Sequence, residues 1–430
     1  MLLSPVGLLL VSVVFFFLFG MPIAFCLGAS SLVYFLAVGN IPLHGIAQKM
    51  IYAGDNFLLL AIPLFILAAH VMNATGSTER IFAFANSLVR HITGGLAHVN
   101  VLSNMIFAGM SGSALADMAG LGVLQIEAMT KSGYDRDFSV ALSAAAATIG
   151  PIIPPSIPFV IYCWISGASV GEMFLAGFLP GVLMGVLMMI LSYFLAKRRN
   201  YPKFPRASLR EVGRSLYHGI LPLMAPVIIL GGMYTGAFTP TEAAMVATVY
   251  AIALGVLVYR AFAWPEFSAL CLRVLKDTAV AMYILATATA FNWILTREQI
   301  PAKIGEYAFQ LTQNPYLLLL IINVFLLILG CFMENTAILI IFTPILLPIV
   351  TNFGMSPVHF GVVLVLNVMI GTLTPPFGIV LYMASAVSKL SIQRISIALI
   401  PFIIILIVNL MLVTYIPPIA MTLPDLFTGK

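Results

Sequence analysis

Two short polar segments interrupt otherwise apolar stretches of this 430-residue chain, and their side chains are of the type that binds a hard cation. The first, SGSALAD at residues 111–117, carries Ser111, Ser113 and Asp117, and the second is ENT at residues 334–336. Hydroxyl, amide and carboxylate oxygens are the donors that hard cations prefer. None of the six histidines pairs with another at metal-ligand spacing. The donors therefore fit sodium better than zinc, and we predict no metal cofactor.

A proline-broken apolar segment follows each polar segment along the chain. These segments are IGPIIPPSIPFVIY at residues 149–162 and IGTLTPPFGIVLY at residues 370–382. A Pro-Pro pair removes backbone donors and clashes with the preceding turn, so a membrane helix must be interrupted there. Unwound backbone is tolerated at membrane depth only where it is buried in protein or lines a polar cavity. Two such breaks indicate the binding site of a secondary transporter.

The two halves of the chain repeat this arrangement at one spacing. Gly150, Pro154 and Pro155 recur 221 residues later as Gly371, Pro375 and Pro376. We predict a first repeat at residues 1–196, with a hairpin near 95–130 and a broken helix near 138–165. A linker at residues 197–216 follows, and then a second repeat at residues 217–430, with a hairpin near 315–350 and a broken helix near 358–388.

Composition indicates a membrane protein that is built from helices. The chain is 61% hydrophobic and 8% charged, whereas soluble domains carry about 25% charged residues. Spanning a bilayer takes about 20 apolar residues per helix. The long apolar runs do not alternate with polar residues as barrel strands would. We predict an all-α polytopic membrane protein with about ten to twelve membrane segments.

The net charge of +5 comes from one place in the sequence. The linker carries seven Lys or Arg residues and one Glu, which leaves the rest of the chain near −1. This concentration indicates membrane topology rather than a nucleic-acid partner, and it predicts a cytoplasmic linker. The four cysteines stand singly in apolar stretches, so we interpret them as packing residues.

A complete binding site follows if each polar segment faces the break that comes after it. Free carbonyls before the break would bind a cation, and free N–H groups after it would bind an anion. Two sodium sites would then flank one substrate site. The first predicted sodium site consists of Ser111, Asp117, Thr148, Gly150 and Pro151. The second consists of Glu334, Asn335, Thr336, Gly371, Thr372 and Thr374, and the substrate would face Ser113, Pro155, Ser156, Asn335 and Pro376.

Longer motifs in the chain resemble those of a known transporter family. They are SGSALAD, KSGYDRDFSVALSAAAATIGPIIPPSIPFVIY, FTPTEAA, FTPILLP, PVHFG and NVMIGTLTPPFG. Over essentially its full length, the chain resembles the large membrane subunit, DctM-like, of a tripartite ATP-independent periplasmic (TRAP) transporter, including the sialic acid type. The resemblance places the hairpin tips at residues 111–117 and 330–336 and the breaks at residues 150–156 and 371–377. It thereby adds Gly112 and Gly330 to the sodium sites and Pro154 and Pro375 to the substrate-facing set.

The resemblance also implies a mechanism, partners and a location. It implies an elevator-type secondary transporter with inverted repeats, two re-entrant hairpins and two broken helices, coupled to Na⁺. The implied partners are a separate small four-helix membrane subunit and a periplasmic substrate-binding protein. The implied substrate is a carboxylate, such as a C4-dicarboxylate or sialic acid. The implied location is the bacterial cytoplasmic (inner) membrane, as a multi-pass protein in its lipid bilayer.

Two other functions compete with this interpretation. Broken helices also build selectivity filters, so a passive anion channel without sodium dependence is the nearer alternative. The sequence Gly-Met-Ser-Gly at residues 109–112 matches the short GxSG motif of intramembrane serine proteases. A protease would leave the duplication and both breaks unexplained.

Individual residues also have structural alternatives. Asp117 could cap a helix after the tip, and Glu334 could be either a ligand or a packing partner. Thr148 and Thr372 could bond to their own helices. Glu242 fits a helix-capping role, and the charged residues at 131–137 fit a solvated loop better than a substrate clamp.

Overall fold

The computed structural model of the chain describes residues 4–261 and 264–429. All regular secondary structure in these two ranges is helical, which confirms the predicted all-α class. The outer limits of the two predicted repeats, Met1 and Lys430, lie outside the described residues.

The helices are numbered in chain order. Up to the linker the structure contains α1 (Pro5–Leu18), α2 (Ile23–Val38), α3 (His44–Gly54), a 3₁₀ turn (Phe57–Leu60), α4 (Ala61–Ala74), α5 (Ser77–Val89), α6 (Gly95–Ser111), α7 (Ala114–Ala119), α8 (Leu121–Lys131), α9 (Arg136–Ala147), α10 (Ile157–Ser166) and α11 (Val170–Arg198). After the linker come α12 (Leu209–Tyr234), α13 (Pro240–Ala253), a π turn (Leu254–Val258), α14 (Trp264–Arg297), α15 (Ile300–Leu311), α16 (Pro315–Gly330), α17 (Asn335–Asn352), α18 (Pro357–Gly371), α19 (Ile379–Ser388), α20 (Ile392–Tyr415) and α21 (Pro418–Thr428).

Within the described ranges, seven helical segments are long and apolar enough to cross a bilayer. They include α11, α12, α17 and α20, with the longest at Pro265–Arg297. Six further apolar helices have between 10 and 17 residues, among them α10, α16, α18 and α19. Several of the shorter helices lie beside the breaks and tips, which divide apolar stretches, and the prediction of ten to twelve membrane segments made no distinction between full spans and such shorter pieces.

Single prolines lie inside helices of this fold, whereas the Pro-Pro pairs stand in gaps between helices. Seven prolines of the described residues, such as Pro180 in α11 and Pro401 in α20, lie in the interior of continuous helices. The gaps at residues 148–156 and 372–378 contain the Pro-Pro pairs together with Gly and Thr residues. Helix α10 then restarts at a side-chain cap, because Ser156 Oγ accepts a hydrogen bond from the Phe159 N–H at 3.3 Å. Neighbouring helices can stabilise a single proline kink in a membrane protein.

Contacts between the two halves position the polar segments. The short helix α7, which follows the first polar segment, packs against α19, which follows the second break. Helix α17, which follows the second polar segment, packs against α10, which follows the first break. Each tip therefore lies beside its own break and beside the helix that leaves the opposite break.

The linker between α11 and α12 is shorter than the predicted linker at residues 197–216. Helix α12 begins at Leu209, inside the predicted linker 197–216, because Ser208 and Glu211 form a reciprocal capping box. The Arg90 guanidinium at the end of α5 donates to the Pro205 carbonyl at 2.9 Å. Thus the linker lies against α5, which itself packs on α6 and α12. A second capping box, Thr239 with Glu242, starts α13 and confirms the capping role of Glu242.

The charged residues at 131–137 are largely exposed, as a solvated loop predicts, but they form specific contacts. Lys131 pairs with Glu127, while Asp135 pairs with Arg199. Asp137 pairs with Arg394, so this segment connects α9 to a helix of the second half.

Candidate ion and substrate site

The first polar segment forms a tight turn between α6 and α7. Helix α6 ends at Ser111, and Gly112 adopts the left-handed conformation with φ of +59°, which glycine tolerates without steric cost. Ser113 then caps α7 by accepting a hydrogen bond from the Ala116 N–H at 3.4 Å. The alternative role of Asp117 as the helix cap is therefore wrong, since Ser113 takes it.

Asp117 is a buried carboxylate that faces the Ser111 hydroxyl of the same tip. Its side chain is fully buried, and neither carboxylate oxygen makes a hydrogen bond of normal geometry among the described residues. A methyl group on Gly150 would lie 2.2 Å from its Oδ2, so the carboxylate rests directly against the first break. Removing an ion from water costs several kcal/mol unless a charge compensates it. The site therefore requires either a proton or a cation at Asp117.

The first break is buried and lies against the first tip. All of residues 148–156 are buried. A methyl group on Gly112 would lie 2.7 Å from the Pro155 carbonyl oxygen. The Thr148 hydroxyl donates to the Ala145 carbonyl at 2.6 Å, so the structural alternative for this residue, a bond to its own helix, is formed. The hydroxyl oxygen keeps acceptor capacity toward a cation.

The second tip has a different polar arrangement, because Glu334 caps α17. Its Oε2 accepts from the Ala337 N–H at 3.2 Å, and its Oε1 accepts from the Thr336 hydroxyl at 2.9 Å. Glu334, Asn335 and Thr336 are all partly exposed. Unlike Asp117, Glu334 therefore has protein partners for both carboxylate oxygens.

The second break lies directly against the second tip through close backbone contacts. A methyl group on Gly371 would lie 2.5 Å from the Gly330 Cα. The Phe377 N–H donates to the Cys331 carbonyl at 2.9 Å. The Thr372 hydroxyl bonds back to the Met369 carbonyl at 2.6 Å, as predicted, and Thr374 bonds to the Ile370 carbonyl at 3.0 Å.

The two breaks differ in exposure, although their sequences correspond. The first is covered by protein, because α10 packs against α4, α11 and the 3₁₀ turn at Phe57–Leu60. In the second, Pro375, Pro376 and Phe377 are exposed, Phe377 by 55%. The neighbouring tip residue Phe332 is also exposed. One break therefore faces the protein interior while the other faces outward.

One small cavity touches both tips. It has a volume of about 120 Å³, whereas pockets for drug-sized ligands span about 300–1,000 Å³. Apolar side chains from α10, α17, α18 and α19 complete its wall. From the predicted site sets it is lined by Gly112, Ser113, Pro151, Glu334, Asn335 and Thr336.

The remaining predicted substrate-facing residues lie away from this cavity. Pro154, Pro155 and Ser156 are buried beside it, and the Ser156 hydroxyl bonds to the Pro151 carbonyl. Pro375 and Pro376 are on the exposed surface. In this conformation only Ser113 and Asn335 of the substrate set line the space between the tips. Their role as ligands stays a prediction.

The fold and its sequence can be compared with those of known proteins. The family model described as "Tripartite ATP-independent periplasmic transporter, DctM component" matches residues 10–419. The chain belongs to this family. This chain is 44% identical over 410 residues to the sialic acid TRAP transporter large permease protein SiaM of Vibrio cholerae. The alignment covers 95% of this chain and 96% of that protein.

Other relatives of this chain are named for different substrates. It is 41% identical over 399 residues to the C4-dicarboxylate TRAP transporter large permease protein DctM of Pseudomonas aeruginosa, covering 93% of each chain. It is 38% identical over 389 residues to the isethionate TRAP transporter permease protein DctMQ of Oleidesulfovibrio alaskensis, with 90% of this chain but 61% of that protein aligned. These relatives are transporter permeases, which argues against the protease alternative.

A solved structure shares the architecture of the DctM chain. The YdaH transporter of Alcanivorax borkumensis superposes with a TM-score of 0.63 at 15% identity, covering 95% of this chain and 97% of that one. At this identity the likeness concerns the fold alone.

The DctM chain also contains buried polar networks that the sequence analysis did not single out. Behind the first tip, the Asn100 amide donates to Ser143 at 2.7 Å and the Gln125 amide donates to Ser103 at 2.9 Å. These bonds join α6, α8 and α9. Polar residues on successive turns of α6 are the sequence signal that could have identified this network, because such residues are costly in a membrane helix.

A corresponding network lies behind the second tip of the DctM chain. The Asn367 amide donates to the Asn323 side chain at 2.9 Å, and the Asn323 amide donates to Thr414 at 3.2 Å. The network joins α16, α18 and α20, and all three residues are buried. Each hairpin is therefore held to the helix before its break by buried hydrogen bonds, which rigidify the support of the tip.

Proposed function

We propose that this chain is the large permease of a sodium-coupled tripartite transporter that takes up an organic anion. The observation that carries the proposal is the fully buried carboxylate of Asp117. It makes no hydrogen bond of normal geometry among the described residues, faces the Ser111 hydroxyl and lies against the unwound backbone at Gly150. A buried ion of this kind needs a compensating charge. Sodium fits a site of carboxylate, hydroxyl and carbonyl oxygens.

The first proposed sodium site combines the first tip with the first break. Ser111, Gly112 and Asp117 would supply ligands from the tip. Thr148, Gly150 and Pro151 would supply them from the break. The C-terminal end of α9 adds negative partial charge. Its last carbonyls accept the N–H groups of residues 148–150 and keep a second lone pair for a cation. The close contact between Gly150 and the Asp117 carboxylate supports this grouping.

The second proposed sodium site is formed by the second tip and break. Its residues are Gly330, Glu334, Asn335, Thr336, Gly371, Thr372 and Thr374. The close approach of Gly371 to Gly330 and the Phe377 to Cys331 hydrogen bond support the grouping. Here we expect carbonyl and hydroxyl oxygens to contribute most, because Glu334 already caps α17.

Glu334→Gln separates the capping role from the ligand role at the second site. Glutamine keeps an oxygen for the Ala337 N–H but removes the negative charge. Because the carboxylate oxygens are used in the cap, we expect less than about a threefold change in the sodium concentration for half-maximal uptake. Uptake against sodium concentration, at matched protein abundance, measures this. An increase of tenfold or more would show that Glu334 is a charged ligand.

The substrate anion would bind between the two tips. The N-terminus of α10 is near the cavity, whose lining includes Ile157, and helix N-termini attract anions. The N-terminus of α17 is already capped by the Glu334 carboxylate. The cavity of about 120 Å³ would hold the carboxylate end of a substrate. The tips must separate to admit the rest, so we propose Ser113 and Asn335 as the first substrate contacts, with residues 154–156 and 375–376 reached on opening.

The proposed substrate class is a carboxylate. The relatives named for sialic acid and for C4-dicarboxylates share 44% and 41% identity with this chain. Their similar identities support an organic acid and do not favour one of the two. We propose a C4-dicarboxylate, sialic acid or a related carboxylate, delivered by a periplasmic substrate-binding protein.

The remaining parts of the proposal concern partners, location and movement. A separate small four-helix subunit and the bacterial inner membrane complete the system. The relative SiaM is named as a large permease protein, which supports a separate small membrane subunit. The burial of one break and the exposure of the other support an elevator that alternates between two arrangements.

Removal of sodium tests the proposed coupling. In proteoliposomes that hold this chain and its small subunit, replacing sodium by potassium at constant ionic strength should lower uptake of labelled carboxylate at least about tenfold. Each sodium ion contributes about 2.3 kcal/mol per 100 mV and about 1.4 kcal/mol per tenfold gradient. Omitting the binding protein should likewise abolish accumulation. Equilibration that ignores both would instead indicate a passive anion channel.

A further inference from the structure

A groove with a charged rim and an apolar floor lies between the linker end of α11 and the start of α20. Its cavity volume is about 440 Å³. The rim carries Arg136, Arg199 and Arg394, and the floor includes Leu195, Ile397 and Phe402. We call this feature the α11–α20 groove. It lies outside the proposed ion and substrate site.

The arginines of the α11–α20 groove are paired, but their pairing leaves donors free. Arg199 Nη1 lies 2.8 Å from Asp135, and Arg394 Nη2 lies 2.9 Å from Asp137. Arg136 Nη2 donates to the Ser388 carbonyl at 2.7 Å. Each guanidinium thus uses one nitrogen, while its other N–H groups have no protein acceptor in the described part of the chain. Three cations face two carboxylates, which leaves a net charge of +1.

The apolar floor of the groove continues along the surface of α20. Ile397 is 62% exposed, and Ile400, Ile404 and Val408 follow it on successive turns, each exposed by more than 40%. Side chains at this spacing share one face of a helix. The groove therefore joins a cluster of guanidinium groups at the membrane edge to an apolar stripe that runs into the bilayer region.

We infer that the α11–α20 groove binds an anionic phospholipid of the leaflet next to the linker. Planar guanidinium groups bind phosphate through paired hydrogen bonds, and basic pockets between membrane helices bind anionic headgroups. The floor and the α20 stripe would contact an acyl chain. Lys197 and Arg198, in the last turn of α11, add positive charge. This charge complementarity and the apolar stripe select a lipid over a soluble anion.

Lipid binding to the purified, delipidated membrane complex tests the inference. Native mass spectrometry would measure the affinity for phosphatidylglycerol and for phosphatidylcholine with the same acyl chains. We expect tighter binding of phosphatidylglycerol. Arg136→Gln and Arg394→Gln should each weaken it about fivefold, since one basic residue near a membrane surface contributes about 1 kcal/mol, and phosphatidylcholine binding should not change. Arg136→Gln breaks no ion pair, so it tests the site even if Arg394→Gln fails to fold.

Two matched variants distinguish a lipid site from a structural ion-pair cluster. Asp137→Asn removes a carboxylate from the groove, so it should maintain or strengthen phosphatidylglycerol binding. Arg206→Gln changes an exposed linker arginine outside the groove and should leave binding unchanged. Equal affinity for the two lipids, or an equal loss in Arg206→Gln, would overturn the inference. Competition by soluble glycerol phosphate would also overturn it, by indicating a site for a free phosphate.

Discussion

Replacing Asp117 by asparagine should reduce sodium-driven uptake by about a hundredfold. Asparagine has nearly the same size as aspartate, so the buried position against Gly150 is kept. It has no charge to hold a cation, and removal of one partner from a buried charge pair costs about 3–5 kcal/mol. Uptake into proteoliposomes, normalised to the amount of inserted protein, measures the effect.

Thermal unfolding provides a second measurement of the same prediction. A ligand that binds only the folded state raises stability with its concentration. Sodium should therefore raise the melting temperature of the wild type more than that of Asp117→Asn. Without sodium the two proteins should have similar stability, because a buried Asp117 without a cation takes up a proton and is then as neutral as asparagine.

A carboxylate on the surface of the same hairpin supplies the control. Glu127 in α8 is exposed and pairs only with Lys131. Such surface pairs contribute about 0–1 kcal/mol, so Glu127→Gln should transport normally. Normal sodium-dependent uptake by Asp117→Asn would contradict the proposed first site, since it would mean that Asp117 holds a proton rather than a cation.

Replacing Gly371 by alanine should reduce uptake at least about tenfold and lower stability. The added methyl group would lie 2.5 Å from the Gly330 Cα, and a backbone atom cannot move aside as a flexible side chain can. Overpacking of this kind costs about 1–3 kcal/mol. The second tip and the second break must then separate, which displaces the ligands of the second proposed sodium site. Uptake and melting temperature together measure the result.

A glycine in open space gives the matched control for this substitution. Gly231 in α12 has no atom within 4 Å of an added methyl group. Alanine is favoured over glycine inside helices by up to about 1 kcal/mol, so Gly231→Ala should be neutral or stabilising. Gly330→Ala should reproduce the defect of Gly371→Ala, because both residues form the same contact. Normal transport by both variants would show that the tip and break need not touch.

Much of the candidate site was predictable from local sequence. A Pro-Pro pair removes backbone donors wherever it occurs, so the interruptions after Ala147 and Gly371 were predictable from those residues alone. Capping boxes are equally local, and Thr239 with Glu242 forms the predicted cap. The long motifs were sufficient to predict the DctM family that residues 10–419 match.

The sequence alone does not decide which residue caps the helix that follows each tip. Both Ser113 and Asp117 are suitable capping residues, and only the turn at Gly112 decides that Ser113 caps α7. Glu334 is a poorer capping type by preference, yet it caps α17 because the backbone at the second tip presents the Ala337 N–H to it. Which carboxylate remains without a partner is therefore a property of the folded tips.

The amino-acid sequence by itself determined the all-helical membrane class and the positions of the breaks, because these follow from composition and from the covalent geometry of nearby residues. Its long motifs also resembled those of the family. Only the tertiary structure decided which break is buried, that Asp117 meets Gly150, and that Arg394 reaches Asp137. These features depend on contacts between residues far apart in the chain. Two segments with corresponding sequences can therefore differ in exposure, because different helices pack against them.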